Sequence, residues 1–179
     1  MPNVTRDEAI AQFSPGGPTD LIRTAAFGPV RSVAEFYIPF RLFEVDILNR
    51  GRHDMRVLAL DAVNGSLDLY HFEQLPAPND VVYLETRNSP PPVLEDARAR
   101  ELMISKVQRM LFSKGFFRMR DLHIYAEPVA GEVCVPYWVA FRGRGAFARV
   151  EAIDAIRRRL EGAKVRHLLE SWLTSVVAP

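Results

Sequence analysis

The chain has 179 residues and a formal net charge of +1, and 48% of its residues are hydrophobic and 25% charged. This composition is typical of a folded protein with its own core and excludes an intrinsically disordered chain. The longest strongly apolar run, Val133–Phe141, is nine residues long. Because a membrane-spanning helix needs roughly 20 residues, no transmembrane helix is expected.

Charge is unevenly distributed along the chain. Residues 1–97 hold 8 Arg and 14 Asp or Glu, a net charge of −6, and residues 98–179 hold 15 Arg or Lys and 8 Asp or Glu, a net charge of +7. Two interpretations stay open. The acidic and basic halves attract each other, or the basic half binds an anionic partner.

The first half is predicted to contain two short helices followed by antiparallel strands. Thr5 followed by Glu8 indicates a capping box at the start of the first helix. In the first strand the apolar alternation slips by one residue between Leu42 and Phe43, which predicts a β-bulge. The predicted helices are 5–13 and 20–26, the predicted turn is 49–53, and the predicted strands begin at Val33 and continue at 55–60, 67–72 and 81–84.

The second half is predicted to begin after a proline-rich link at 88–92, because consecutive prolines form a stiff, extended spacer. The next segment, 95–112, contains no Gly or Pro and many strong helix formers, which predicts a long helix. The remaining predicted elements are strands at 116–126, 133–142 and 146–153 and a final helix at 156–176.

A short passage occurs twice in the chain. Tyr37–Phe43 reads YIPFRLF, and Cys134–Ala140 reads CVPYWVA 97 residues later. The next strand ends in ALDAV at Ala59–Val63 and in AIDAI at Ala152–Ile156, 93 residues later. A repeat that keeps its order while a loop changes length indicates a duplicated structural unit. We therefore expect an α+β fold of two related helix-and-antiparallel-hairpin units with a C-terminal helix. The predicted units are 1–87 and 93–179, joined by 88–92.

The helix at 95–112 and the hairpin CVPYWVAFRGRGAFARVEAIDA that follows resemble the helix-plus-hairpin unit of PepSY-type, cystatin-like domains. In those domains an apolar strand with a proline and aromatic residues leads through a short Gly turn to a strand that ends in an acidic residue. In the first copy, ALDAVNGSL resembles the turn that closes this hairpin. The second copy departs from the pattern because it continues into a helix after Asp154. The resemblance implies a non-catalytic interaction domain and assigns no functional residues.

The sequence contains no motif for a nucleotide, a metal ion or a catalytic nucleophile. Cys134 lies in an apolar strand, which predicts a buried, unreactive thiol. Asp61 and Asp154 occupy equivalent places in the two copies, and we interpret them as capping carboxylates rather than as a catalytic pair. The histidines are far apart in sequence and are interpreted as structural side chains. They are His53, His71, His123 and His167. We therefore expect a non-enzymatic protein without a cofactor or a metal.

Eight basic residues lie between 142 and 166, where only three acidic residues accompany them. A basic final helix could bind an anionic membrane surface or nucleic acid. Alternatively, the same side chains form a solvated helix face docked on the acidic half. The cluster begins with Arg142, and the residues assigned to possible contact with an anionic partner are Arg157, Arg158, Arg159, Lys164 and Arg166.

Three functions are therefore consistent with the sequence. The leading one is an interaction or accessory protein that holds a protein partner, or a second copy of itself, through a sheet face or edge. The second is small-molecule binding in a cleft between the two repeats. The third is peripheral attachment to a membrane or, less favoured, to nucleic acid. The single cysteine and the absence of a signal-like N-terminal segment predict a cytoplasmic location.

Overall fold

The structure is a computed structural model that describes residues 2–49, 51–77, 79, 81–113, 121–143 and 149–177. Within these ranges four helices and six strands form an α+β fold, which confirms the predicted class. The helices are α1 Arg6–Phe13, α2 Gly17–Phe27, α3 Asp96–Ser113 and α4 Ala163–Val177. The strands are β1 Val30–Asn49, β2 Arg52–Asp61, β3 Tyr70–Phe72, β4 Leu122–Arg142, β5 Arg149–Asp154 and β6 Arg159–Leu160.

The strands form one open antiparallel sheet in the order β3-β2-β1-β4-β5-β6. In the β1–β2 hairpin Phe40 pairs with Asp61, and in the β4–β5 hairpin Tyr137 pairs with Asp154. The predicted strands 116–126 and 133–142 belong to a single strand, β4, although 116–120 lie outside the described residues. None of the helices in the described ranges is long and apolar enough to cross a membrane.

The chain forms two compact units, each assembled from separate stretches. The terminal unit comprises Met1–Ile38, Glu85–Pro90 and Val135–Pro179, and the central unit comprises Pro39–Leu84 and Pro91–Cys134. Both long strands pass from one unit to the other, because β1 crosses at residue 38 and β4 at residue 134. These units differ from the consecutive units 1–87 and 93–179, which stay a prediction.

The core of the central unit lies between α3 and one face of the sheet. Apolar α3 residues spaced four apart, among them Met103 and Val107, are fully buried, as amphipathic helices require. They pack with Phe43, Val45 and Leu58 of the β1–β2 hairpin. The helix predicted at 95–112 is thereby confirmed to within one residue at each end.

The β-bulge predicted in β1 is absent from its pairing with β2. The pairing of β1 with β2 continues without an extra residue from Phe40 opposite Asp61 to Asn49 opposite Arg52. The apolar pattern changes phase because the two faces of β1 are buried at different places. Phe43 packs on the α3 side, whereas Phe40, on the other face, packs against the ring of Tyr70 at a centroid distance of 5.7 Å.

One part of the core of the terminal unit lies between α1 and the β4–β5 hairpin. Phe13 of α1 packs with Trp138, Ala140 and Ile153, and the indole Nε1 of Trp138 donates a hydrogen bond to the carbonyl of Val4 at 2.8 Å. The predicted capping box at Thr5 and Glu8 is present. The hydrogen bond from the Thr5 backbone N–H holds the pKa of the Glu8 carboxyl below its ordinary value of 4.5.

The end of the chain differs from the predicted helix at 156–176. A turn follows β5, β6 comes next, and α4 begins only at Ala163. Asp154 accepts hydrogen bonds from the backbone N–H groups of Ile156 and Arg157 at 2.9 and 2.8 Å, and Arg158 has a left-handed φ of 58°. This turn is closed by a side chain and therefore competes with helix formation.

Two predicted strands in the first half are also corrected. The strand predicted at 67–72 is confined to Tyr70–Phe72. Leu67 belongs instead to the preceding turn, because its backbone N–H donates a hydrogen bond to the Asp61 carboxylate that holds this turn. The strand predicted at 81–84 is not formed, and these residues carry no regular secondary structure.

Candidate functional site

Helix α2 presents an apolar face to solvent and a polar face to the protein. Its sequence places Asp20, Arg23 and Phe27 on one side, since they are three and four residues apart, and places Leu21 and Ile22 with Ala25 on the opposite side. In most surface helices the apolar side is inward. Here Leu21 is 72% exposed and Ile22 69% exposed, and none of the residues of α2, all of which the structure describes, is fully buried. We call Leu21, Ile22 and Ala25 the α2 apolar face.

The inward side of α2 is held by charged groups. The guanidinium of Arg23 lies 2.8 Å from the Glu151 carboxylate of β5. Asp20 lies 3.8 Å from the guanidinium of Arg142. The guanidinium carbon of Arg149 lies 4.2 Å from the centre of the Phe27 ring, a cation–π geometry. Polar and cation–π contacts therefore fix the orientation of α2, and this orientation leaves its apolar face uncovered within the terminal unit.

Arg142 is the centre of this network and is fully buried. Its Nε donates to Glu151 at 2.9 Å, and its terminal nitrogens donate to the carbonyls of Gly28, at 3.2 Å, and Phe13. Those two carbonyls belong to the ends of α2 and α1, where helical carbonyls lack partners within the helix. A buried guanidinium satisfies both helix ends at once. Sequence reasoning placed Arg142 in a basic surface cluster, and that assignment is wrong.

The structure places the five residues assigned to an anionic partner in two different settings. Arg157, Arg158 and Arg159 lie in the turn and in β6 rather than on a helix. Each contacts a group of the same unit: Arg157 lies 4.0 Å from Asp154, Arg158 donates to the carbonyl of Asn3, and Arg159 lies 2.8 Å from Glu161. The hydrogen bond that the Arg159 guanidinium donates to the Glu161 carboxylate raises the pKa of that guanidinium. Lys164 and Arg166 lie on α4.

The two aspartates of the repeat are fully buried. Asp61 accepts hydrogen bonds from three backbone N–H groups of the following turn, those of Asn64 at 3.0 Å, Gly65 at 2.8 Å and Leu67 at 2.7 Å. Asp154 binds the turn before β6, as described above, and not the N-terminus of the final helix. Both carboxylates hold a turn, which supports their structural interpretation.

Two of the histidines, His53 and His123, lie beside another charged or aromatic side chain. His53 lies 3.0 Å from Asp46 and is exposed, and the ring of His123 stacks on Tyr125 at 6.5 Å. Across the described ranges no group of three or more His, Cys, Asp or Glu side chains is arranged to hold a metal ion.

Cys134 is exposed, so the predicted burial of its thiol is wrong. Its neighbour Val135 is buried, because successive residues of a strand point to opposite faces. The apolar sequence around Cys134 therefore does not mean that both faces of the strand are buried at this position.

We expect the Cys134 thiol to react with a disulfide reagent such as DTNB in the native protein, because exposure gives the reagent access. Labelling should reach one thiol per chain without denaturant, since the chain has a single cysteine. The Cys134→Ser variant provides the blank. Labelling that occurs only after addition of a denaturant would contradict the observed exposure.

The α2 apolar face was not recognised in the sequence, although α2 itself was predicted. A signal for it was present, because the apolar residues of this helix lie opposite Asp20 and Arg23. The sequence could not show which side faces inward, since that depends on Glu151 and Arg142, more than 100 residues away. No protein-family model, curated protein or solved structure matches this chain.

Proposed function

We propose that this chain is a non-enzymatic interaction protein that binds a protein partner through the α2 apolar face. The observation that carries this proposal is the orientation of α2, whose polar side is inward and whose Leu21 and Ile22 are outward and largely exposed. Exposed apolar surface fixed by the fold is typical of protein-binding sites. The outward apolar side of such a helix contributes no hydrophobic free energy until a partner covers it.

A protein surface suits this face better than an anionic one. Leu21, Ile22 and Ala25 carry no charge, and the cores of protein interfaces are depleted of charged residues. The arginines predicted to bind an anionic surface belong to the turn before β6, to β6 and to α4, and none of them lies on α2. Anionic attachment and small-molecule binding stay predictions from the sequence, and so does the cytoplasmic location.

We also infer that the chain derives from duplication of one helix-and-hairpin unit, with the PepSY-type, cystatin-like resemblance as one precedent for such a unit. Equivalent hydrogen bonds support duplication. The N–H of Ala62 donates to the Pro39 carbonyl at 2.8 Å, and the N–H of Ala155 donates to the Pro136 carbonyl at 3.0 Å. The strand pairs Phe40–Asp61 and Tyr137–Asp154 also keep the 97- and 93-residue offsets of the sequence repeat.

In this interpretation the two copies exchange their helices. α1, from the first copy, packs on the β4–β5 hairpin of the second, and α3, from the second copy, packs on the β1–β2 hairpin of the first. The backbone entering each helix is bound alike, since Asn3 donates to the Ala155 carbonyl at 2.7 Å and Leu94 to the Ala62 carbonyl at 2.9 Å. Such exchange explains why each compact unit contains segments of both copies.

The proposed function is tested with a double variant, Leu21→Ser with Ile22→Ser. The tagged protein is purified from its own cells after brief cross-linking, and the captured proteins are quantified by mass spectrometry. We expect one or more partners to fall by about tenfold or more with the double variant, since central apolar contacts dominate interface energies. The stability of the variant should change by no more than about 0.5 kcal/mol per substitution because both side chains are exposed.

The matched control replaces two equally exposed apolar residues elsewhere, Met55→Ser with Val93→Ser, which are 69% and 67% exposed. This variant should capture the same proteins as the wild type. If all three proteins capture the same set in the same amounts, the α2 apolar face is not the binding surface.

A further inference from the structure

A second exposed apolar segment lies far from α2 in the sequence. Val81, Val82, Tyr83 and Leu84 are consecutive, and they are 49%, 59%, 101% and 51% exposed. We call them the 81–84 run. Four exposed residues in succession mean that the protein leaves each of these side chains largely uncovered. Val and Tyr also have high β-propensity, which is why the sequence predicts a strand here.

The run therefore has the composition of a strand without the pairing of one. Carbonyl and N–H groups of an extended segment gain most when they join a sheet edge, and this mode of binding uses alternate side chains for specificity. A sheet edge on another molecule is therefore the binding surface that suits the 81–84 run.

The β6 edge of the sheet has the matching properties. β6 is the last strand in the sheet order, and within the described residues only β5 pairs with it. Its Leu160 is 54% exposed, and its Arg159 side chain is 56% exposed. A short strand that carries arginine is protected from indiscriminate pairing, but a strand of opposite charge removes that protection.

Charge selects between the two edges of the sheet. Asp80 and Glu85 flank the 81–84 run in the sequence, and Glu73 follows the β3 edge directly, so like charges would meet there. Around β6 the sequence from 157 to 166 holds five basic residues and one acidic residue. Complementary charge favours the β6 edge, and like charge disfavours β3.

We propose that the chain associates with a second copy of itself by adding the 81–84 run of one copy to the β6 edge of the next. The contact uses different surfaces on the two partners, with Tyr83 and Val82 on one side and Leu160 with the neighbouring arginines on the other. Contacts of this heterologous kind extend into rings or open chains. The association is independent of the α2 apolar face.

The test uses the full-length protein in sedimentation velocity at a series of concentrations, at low ionic strength. Wild type is expected to associate as its concentration rises. Tyr83→Lys should disable the run, and Leu160→Lys should disable the edge, so each variant alone should remain monomeric, with association weakened about tenfold or more. An equimolar mixture of the two variants should form a 1:1 complex, because one contact remains intact between them, and it should form nothing larger.

Met55→Lys is the matched control, because Met55 is 69% exposed and lies on β2; it should associate like the wild type. Raising the salt to about 0.5 M should weaken wild-type association, since salt at that ionic strength screens charges that lie more than a few ångströms apart. A wild type that stays monomeric throughout would overturn the proposal. It would equally be overturned if Leu160→Lys associated normally, or if the mixed variants stayed monomeric.

Discussion

Replacing Arg142 with valine is expected to destabilise the protein by about 3–5 kcal/mol, the range found when one partner of a buried ion pair is removed. The guanidinium is fully buried and hydrogen-bonds Glu151, Gly28 and Phe13. Its loss leaves the Glu151 carboxylate with Arg23, at 2.8 Å, as its remaining cation, and it removes the guanidinium donor from two helix-end carbonyls. Valine is the informative replacement because Val45 precedes Arg142 by 97 residues, the offset between the two repeated passages.

A second substitution, at Glu151, replaces the whole charged pair with apolar residues. Leu58 lies 93 residues before Glu151, the other offset of the repeat. We therefore expect Arg142→Val with Glu151→Leu to be less destabilised than the sum of the two single variants, by about 2 kcal/mol, because residues in one ion-pair network couple. The double variant should still be less stable than the wild type, since the carbonyls of Phe13 and Gly28 lose their donor.

The measurement is urea unfolding of the four proteins, followed by tryptophan fluorescence. Both tryptophans belong to the terminal unit, in which Arg142 lies, so the signal reports this unit. Arg159→Ala serves as the control, because Arg159 belongs to the same unit and pairs with Glu161 at 2.8 Å with its own side chain 56% exposed. Such a pair contributes about 0–1 kcal/mol. Single-variant losses that simply add would mean that Arg142 and Glu151 do not act together.

The parts of the fold that the sequence predicted well are those with local causes. The capping box at Thr5 fixes the start of α1, and an unbroken run of helix formers fixes α3. Residues that carry these signals lie within one or two turns of each other. The 97- and 93-residue offsets of the repeated passages also separate two observed strand pairs, Phe40–Asp61 and Tyr137–Asp154.

The parts that the sequence did not predict depend on which face of each strand or helix is covered in the tertiary structure. The phase change in β1 looked like a bulge because a pattern of apolar residues does not say on which face each is covered. The same ambiguity made Cys134 look buried and Arg142 look exposed. For α2, the inward side is decided by Glu151 and Arg142 of the second half of the chain. The α2 apolar face therefore became visible only with the tertiary structure.

Replacing Asp61 with alanine is expected to destabilise the central unit by about 4 kcal/mol. The fully buried carboxylate accepts hydrogen bonds from the backbone N–H groups of Asn64, Gly65 and Leu67. Hydrogen bonds to charged groups contribute about 1.5–3 kcal/mol each, and they are not fully additive. Alanine leaves all three donors without this acceptor, and the donors of Gly65 and Leu67 are buried.

Asparagine at the same position distinguishes the contributions of the two carboxylate oxygens to stability. Its amide oxygen can still accept from Asn64 and Gly65, but its amide nitrogen would face the N–H of Leu67, so donor would meet donor. We expect Asp61→Asn to lose about 2 kcal/mol, less than alanine, because one of the two acceptor atoms survives. Far-UV circular dichroism in urea is the suitable measurement, since the central unit contains no tryptophan in the sequence.

The control for both variants is Glu44→Gln, which removes an exposed carboxylate from β1 of the same hairpin. It should change the free energy of unfolding by less than about 0.5 kcal/mol. If Asp61→Ala proved no more destabilising than this control, the turn after β2 would hold its shape without the carboxylate. In that case the aspartates at positions 61 and 154, which recur at the same place in both hairpins, would need an explanation other than turn formation.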